Sequence, residues 1–225
     1  MSDVDDTPSR LVAAAERLFA TGGEEATSLR AVTREAISNA AAVHYHFGGR
    51  DGLLRAVLDR YLADRQERRL RRLDQVAEES GDTVDVTAVL TAVLGPDLEL
   101  LAKLRKRRVH VARFLGRAHA ARSPVVAAYL DRQFQAVADR AVPLLAAAVP
   151  GVSPGELRER LRLLLDAVAM RYAAVPDPGE PADDVDTQLA RLVTFGAAGL
   201  VAPPTPSPHK PVKPTKAKRN KPRSR

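Results

Sequence analysis

Residues 39–54, NAAAVHYHFGGRDGLL, bring three alanines, four ring-bearing side chains and a glycine pair together within sixteen positions. His44 and His46 invite a metal reading, but residues two apart on a helix face opposite sides, and no acidic or thiol partner stands near. No metal site is therefore expected. Hydrogen bonding to phosphate suits these residues better, because His44 and Tyr45 both carry donors. Ala40, Ala41 and Ala42 would let a helix backbone approach base edges closely and offer methyl contacts to thymine. Val43 and Phe47, four apart, share one face and are the natural anchor to a core. His46 is expected to cap or pack beneath the helix.

These groups must be positioned by short helices. Leu11, Ala15, Leu18 and Phe19 predict a first helix over 8–21, stopped by Gly22-Gly23. A second, over 28–36, is capped by Thr27-Ser28 and turns Leu29, Val32 and Ala36 inward. A third, over 40–46, has Asn39 as N-cap and ends at Gly48-Gly49. A tight break near Ile37, Ser38 and Asn39 joins the last two, which is the outline of a helix-turn-helix whose second helix lies in the major groove. Gly48-Gly49-Arg50 then leads into a new helix whose free N–H groups favour a phosphate, with Arg50 adding charge. Ser28 and Arg30 repeat this arrangement across the groove, and Arg30 is long enough to reach a guanine. The candidate DNA-contacting residues are Thr27, Ser28, Arg30, Asn39, Ala40, Ala41, Ala42, His44, Tyr45 and Arg50.

Apolar residues recur at helical spacing almost throughout, and no alternating strand pattern is bounded by turns, so the chain is all-α. Long helices start near residue 50 with Leu53, Leu54, Val57, Leu58, Tyr61 and Leu62, and the charged continuation DRQERRLRRLD reads as solvated helix. Gly95-Pro96 is expected to separate helices over 83–94 and 97–115. Pro124 opens another over 124–148, with Pro143 kinking its last turns. The stretches LRERLRLLLDAVAMRY and DTQLARLVTFGAAGLV complete the set.

The +7 net charge is unevenly placed. Residues 203–225 hold eight Lys and Arg and no acid, leaving 27 basic against 28 acidic residues before them. This proline-rich basic tail is too poor in large apolar residues to offset ordering entropy and is expected to be disordered. A second basic cluster, Lys103, Arg105, Lys106, Arg107, Arg108 and Arg113, reads as a solvated face, with an anion pocket or a second DNA contact as the sharper alternative.

With 225 residues, 45% of them hydrophobic, the chain can bury a real core. No apolar run approaches the roughly 20 residues that span a bilayer, and MSDVDDTPSR lacks the apolar centre of a signal peptide. A cytoplasmic protein with no membrane partner is expected. The absence of cysteine excludes disulfides, thiolate metal sites and cysteine nucleophiles. No nucleophile–base pairing, metal-ligand spacing or phosphate loop is visible, so no catalytic residue, metal or cofactor is expected, and the chain does not read as an enzyme.

Residues 10–62, through RLVAAAERLFATGG, TSLRAVTREA and AAVHYHFGGRDGLLRAVL, resemble the DNA-binding domain of the TetR (tetracycline repressor-like) family of bacterial regulators. The resemblance implies about nine helices: a helix-turn-helix domain over 1–50, a helical dimerisation and effector-binding domain over 51–202, and here the added tail over 203–225. It also implies a homodimer that binds a palindromic operator in double-stranded DNA as a repressor and is released by a small-molecule effector. His110, Phe114, Tyr129, Phe134, Met170 and Tyr172 are the candidate effector contacts. The last two helices, with Phe195-Gly196-Ala197-Ala198-Gly199 allowing close approach, are the expected dimer interface. Two departures stand out. Ile37 occupies a turn position where the family usually has Gly, and His44 replaces the first aromatic of Tyr-x-His-Phe, making that contact pH-sensitive. The alternative is a nucleoid-type protein that binds DNA non-specifically through its tail.

Overall fold

The computed structural model describes residues 7–81, 83–176 and 183–204, and within them the only regular elements are nine α-helices. The basic stretch 205–225, and with it nearly all of the expected tail, lies outside the described residues.

Helix α1 (Thr7–Gly22) buries Leu11, Ala14, Ala15 and Phe19. α2 (Leu29–Glu35) and α3 (Ala40–Phe47) are short, and each depends on its cap. Ser28 Oγ accepts from Ala31 N at 3.2 Å, and Asn39 Oδ1 accepts from Ala42 N at 2.9 Å. Each such cap contributes about 1 kcal/mol, which matters for helices of two turns.

α4 (Arg50–Glu79), about 45 Å long at 1.5 Å per residue, serves both halves of the molecule. Its first turns bury Leu53, Leu54 and Val57 against α1 and α3. Its later turns pack on α5 (Val86–Arg107) and α7 (Pro124–Ala148). α6 (Val109–Ala121), α8 (Pro154–Ala173) and α9 (Val185–Val201) complete the larger layer. α6 and α8 touch backbone to backbone: a Cβ at Gly116 would stand 2.1 Å from Ala173 N.

Two expectations are corrected. Gly95-Pro96 does not separate two helices; α5 runs unbroken through Pro96, and the break falls at Arg108, with φ −149° and ψ 51°. Pro96 removes the donor that would have met the Ala92 carbonyl, and in the same turn Arg69 Nε donates to the Val93 carbonyl at 2.8 Å, tying α5 to α4. Residues 92–98 are all buried, so packing on both sides overrides the local signal. Likewise, DRQERRLRRLD is not a solvated stretch, because Arg65, Gln66, Arg69 and Leu73 are buried. They extend the inward stripe of Leu58 and Leu62 by helical steps.

At the centre of the larger layer Arg65 and Arg69 meet Asp97. Arg65 Nη1 lies 2.7 Å from Asp97 Oδ1, Arg69 Nη2 pairs with Oδ2, and Tyr172 donates to the Asp97 carbonyl at 2.8 Å. Burial alone would push the Asp97 carboxyl up, yet the two guanidinium groups outweigh it and hold it below the usual carboxylate range.

Candidate nucleic-acid interface

α3 is seated by one apolar side and one tight junction. Val43 is fully buried, and Phe47 and Ala42 pack partly against the same core. Gly48 and Gly49 take φ of 71° and 120°, values that favour glycine, and reverse the chain within two residues. A Cβ at Gly52 would fall 1.6 Å from the Phe47 carbonyl oxygen, so the first turn of α4 lies directly on the last turn of α3. The outward face that remains is Ala40, Ala41, His44 and Tyr45, with Tyr45 85% exposed. His46 stays half-buried, edge-on to Phe47.

The α2–α3 turn manages without glycine in an unusual way. Ile37 takes φ 50°, with its N–H donating to Arg34 O at 3.2 Å and Ser38 N donating to Thr33 O at 2.9 Å. These are the paired bonds of a Schellman ending, which calls for a left-handed residue at this position. A β-branched side chain there costs about 1–2 kcal/mol, and Ile37 is 87% exposed, so burial offers little in return.

The ten sequence candidates divide. Ser28, Arg30, Asn39, Ala40, Ala41, His44 and Tyr45 are exposed along α2 and α3. Ala42 is half-buried and turned towards the core. Thr27 is buried, and its hydroxyl donates to Gly23 O at 2.8 Å, so it braces the loop rather than facing outward. Arg50 is half-buried with its guanidinium donating to the Glu24 carbonyl. Its placement departs from the expected free phosphate contact, because the α1–α2 loop offers a nearer acceptor. The first turn of α4 still presents unpaired N–H groups, since Gly49 supplies no side-chain cap.

The six candidate effector residues are not brought together. Phe114 stacks on Phe19 with ring centroids 5.9 Å apart, joining α6 to α1. Tyr129 donates to Asp59 Oδ1 at 2.8 Å, and burial, aided by that carboxylate, pushes its phenol up. Phe134 lies under Arg162, whose guanidinium carbon is 3.9 Å from the ring centre. His110 is exposed, and Met170 is 47% exposed on α8. Tyr172 is committed to Asp97. Spacing along α6, α7 and α8 could not show which of these face one another.

The small and large layers are joined by an ionic clasp and by the ring stack. Glu16, buried on α1, accepts from Arg108 Nη1 at 2.5 Å, and the same nitrogen lies 2.9 Å from Tyr61 Oη. Burial, reinforced by Glu16, pushes the Tyr61 phenol up to about 12. Arg117 Nη2 donates to Ala20 O at 2.8 Å, near the end of α1.

Two family models match this chain. Residues 11–57 match the bacterial regulatory proteins of the tetR family, and residues 91–199 match the tetracyclin repressor-like C-terminal domain. The chain belongs to the TetR family. Its members are DNA-binding transcription regulators rather than enzymes, and they usually act as dimers with small-molecule effectors. No curated protein matches this TetR-family chain. Among solved structures, it is similar to a TetR-like transcriptional regulator from Rhodococcus sp. RHA1, with 19% identity, 89% and 98% of the two chains covered and a TM-score of 0.58. It is also similar to NalD of Pseudomonas aeruginosa, the secondary repressor of the MexAB-OprM multidrug efflux pump, with 20% identity, 88% and 98% covered and a TM-score of 0.62. A second Rhodococcus sp. RHA1 transcriptional regulator has 25% identity, 88% and 99% covered and a TM-score of 0.54. Among the described residues of this TetR-family protein, no helix is long and apolar enough to cross a membrane.

Proposed function

We propose that this TetR-family chain is a homodimeric repressor that inserts α3 into the major groove of a palindromic operator and lets go when a small molecule binds its larger domain. In this reading residues up to about 50 form the DNA-binding domain and 51–202 the dimerisation and effector domain, and the protein acts in the cytoplasm. Ala40 and Ala41 approach base edges, Arg30 reads a base, and His44 and Tyr45 hold phosphates. Ser28 and Asn39 line the groove while capping their helices, and the uncapped first turn of α4 takes a further phosphate. Arg50 braces that turn through Glu24.

The observation that carries the reading is where large apolar side chains remain exposed. Among the described residues there are six: Ile37 and Tyr45 on the helix-turn-helix, and Leu163, Met170, Phe195 and Val201 on α8 and α9. The second group supports pairing of α8 and α9 with those of a second copy, since an apolar face of this kind is normally covered. Gly196 is already packed against Leu90 and Leu164 within the subunit, whereas Gly199 is open and free for the partner.

Selection of binding sites from random duplex DNA, with the mass of the free protein measured by light scattering, tests this directly. The expected outcome is a dimer and a palindromic site with half-sites about one helical turn or more apart. A monomer, or binding without sequence preference, would overturn it. Removing residues 205–225 should flatten the salt dependence of affinity while the selected sequence persists.

A further inference from the structure

A cavity of about 630 Å³ lies between the C-terminal half of α5, the end of α8 and the start of α9. That volume falls within the range of small-molecule sites, and none of the six effector candidates read from the sequence lines it. Its wall is apolar at the buried residues Leu98, Leu101 and Val175, and cationic at Arg105, Lys106 and Arg171.

Asp183 and Asp184 also line it, and both are already engaged. Asp183 pairs with Arg191, and Asp184 caps α9 by accepting from Thr187 N and Thr187 Oγ1, both at 2.8 Å. Arg171 donates to Gln188 Oε1 at 2.8 Å. Arg105 differs: its Nη1 is buried and has no hydrogen-bond partner among the described residues. A position in the last turn of α5 explains a cation there, through the helix dipole. It leaves that nitrogen without an acceptor, while the side chain as a whole lines the cavity. A buried donor of this kind is costly unless an acceptor meets it, and a planar two-oxygen anion matches its geometry.

We propose that this cavity binds an amphipathic organic anion, a carboxylate or sulfonate carried on an apolar body, with Arg105 on the acid group and Leu98, Leu101 and Val175 on the body. The site rests on the regulator reading and names the chemistry of its effector. It also has a short route to the DNA-binding layer. Arg105 lies one helical turn before Arg108, the residue that clasps Glu16 and Tyr61. The Val175 carbonyl accepts from Arg113 on α6 at 3.2 Å, and α6 carries the Phe114 ring that stacks on Phe19. A ligand that draws the ends of α5 and α8 together therefore pulls on both links to α1.

The test titrates the full chain with 8-anilinonaphthalene-1-sulfonate by fluorescence and then displaces it with decanoate or decylamine. One dye site per protomer is expected, with decanoate displacing at least tenfold more effectively than the amine. Arg105→Met should weaken both anions tenfold or more, Arg105→Lys should restore part of that loss, and Ala102→Trp, which fills the cavity, should abolish displacement by decanoate. Equal anion affinity in Arg105→Met and wild type overturns the assignment, as does decanoate displacement that survives Ala102→Trp. If Arg105→Met does not fold, Ala102→Trp alone decides. The random-DNA selection runs on the same preparation: selection of a palindrome with no anion binding sinks this site and leaves the regulator reading, while failure to select any sequence sinks that reading whatever the dye does.

Discussion

The two layers hold their key helices by opposite means. α3 is positioned by apolar packing, caps and backbone geometry within about fifty residues of chain, and the outward side chains of its first turn, Ala40 and Ala41, are small. The α4–α5–α8 centre is positioned by charge: Arg65, Arg69, Asp97 and Tyr172 come from three helices up to 107 residues apart in sequence and meet out of water. The first arrangement leaves a rigid bland surface that DNA can approach. The second commits polar groups to one another, and their pairing selects a single register for the helices that enclose the effector domain.

The contrast breaks most sharply at Asp97. Asp97→Asn removes the acid shared by two buried guanidinium groups and should cost about 3–5 kcal/mol, read as a lower urea midpoint. Burial is also what holds the Arg69 guanidinium down to about 10, against the opposing pull of Asp97. Because the Asp97 carboxyl is held below its unfolded value, its contribution is present above that value and is lost only as pH falls through the folded one. Wild type should therefore keep this contribution at mildly acidic pH, which urea melts from pH 7 down to pH 4 would check.

Gly52→Ala strikes the other layer. Its Cβ meets the Phe47 carbonyl, so α3 must shift, at a cost of about 3 kcal/mol. Operator binding should fail while helical circular dichroism from the larger layer persists. Intact DNA binding would show that the α3–α4 junction is looser than its packing indicates. Arg30→Ala should cost about 1–3 kcal/mol at one base position and relax preference there, checked by repeating the site selection.

Ile37→Gly tests whether strain in the turn serves a purpose. It should stabilise the protein by about 1 kcal/mol by freeing the left-handed position. Unchanged operator affinity would mark Ile37 as a tolerated burden, and weaker affinity would mark its exposed side chain as a contact. The smallest effect is expected at His119. Burial holds its imidazole below the ordinary value of 6.5, against the opposing pull of Asp166. A group lowered on folding stabilises above its unfolded pKa, so stability should decline as pH falls below about 6.5. His119→Gln should flatten that slope in thermal melts.

Legibility followed the same divide. Helix α3, its Asn39 cap, the Gly48-Gly49 stop and the inward Val43 were all readable, because caps, glycines and helical spacing act within one or two turns. The demand at Ile37 was readable too, but only through the family resemblance, which puts Gly at that turn position. Thr27 and Arg50 were placed on the outer surface by spacing, but Gly23 and the Glu24 carbonyl claim them from the preceding loop. In the larger layer the one available hint lay in the stripe Leu58, Leu62, Arg65, Arg69 and Leu73, where charge stands at inward positions. Such a stripe reads as solvated until its partner acid is found.

The sequence by itself determined an all-helical chain, the helix-turn-helix and the bland outward surface of its second helix, since those depend on interactions between near neighbours. Only the tertiary structure decided that α5 continues through Pro96, that Arg65 and Arg69 turn inward to Asp97, and that Arg105 lies against a cavity that none of the expected effector residues lines. Each of these depends on groups distant in the chain. Burial sets the strength of a charge, and burial is decided only when the helices pack.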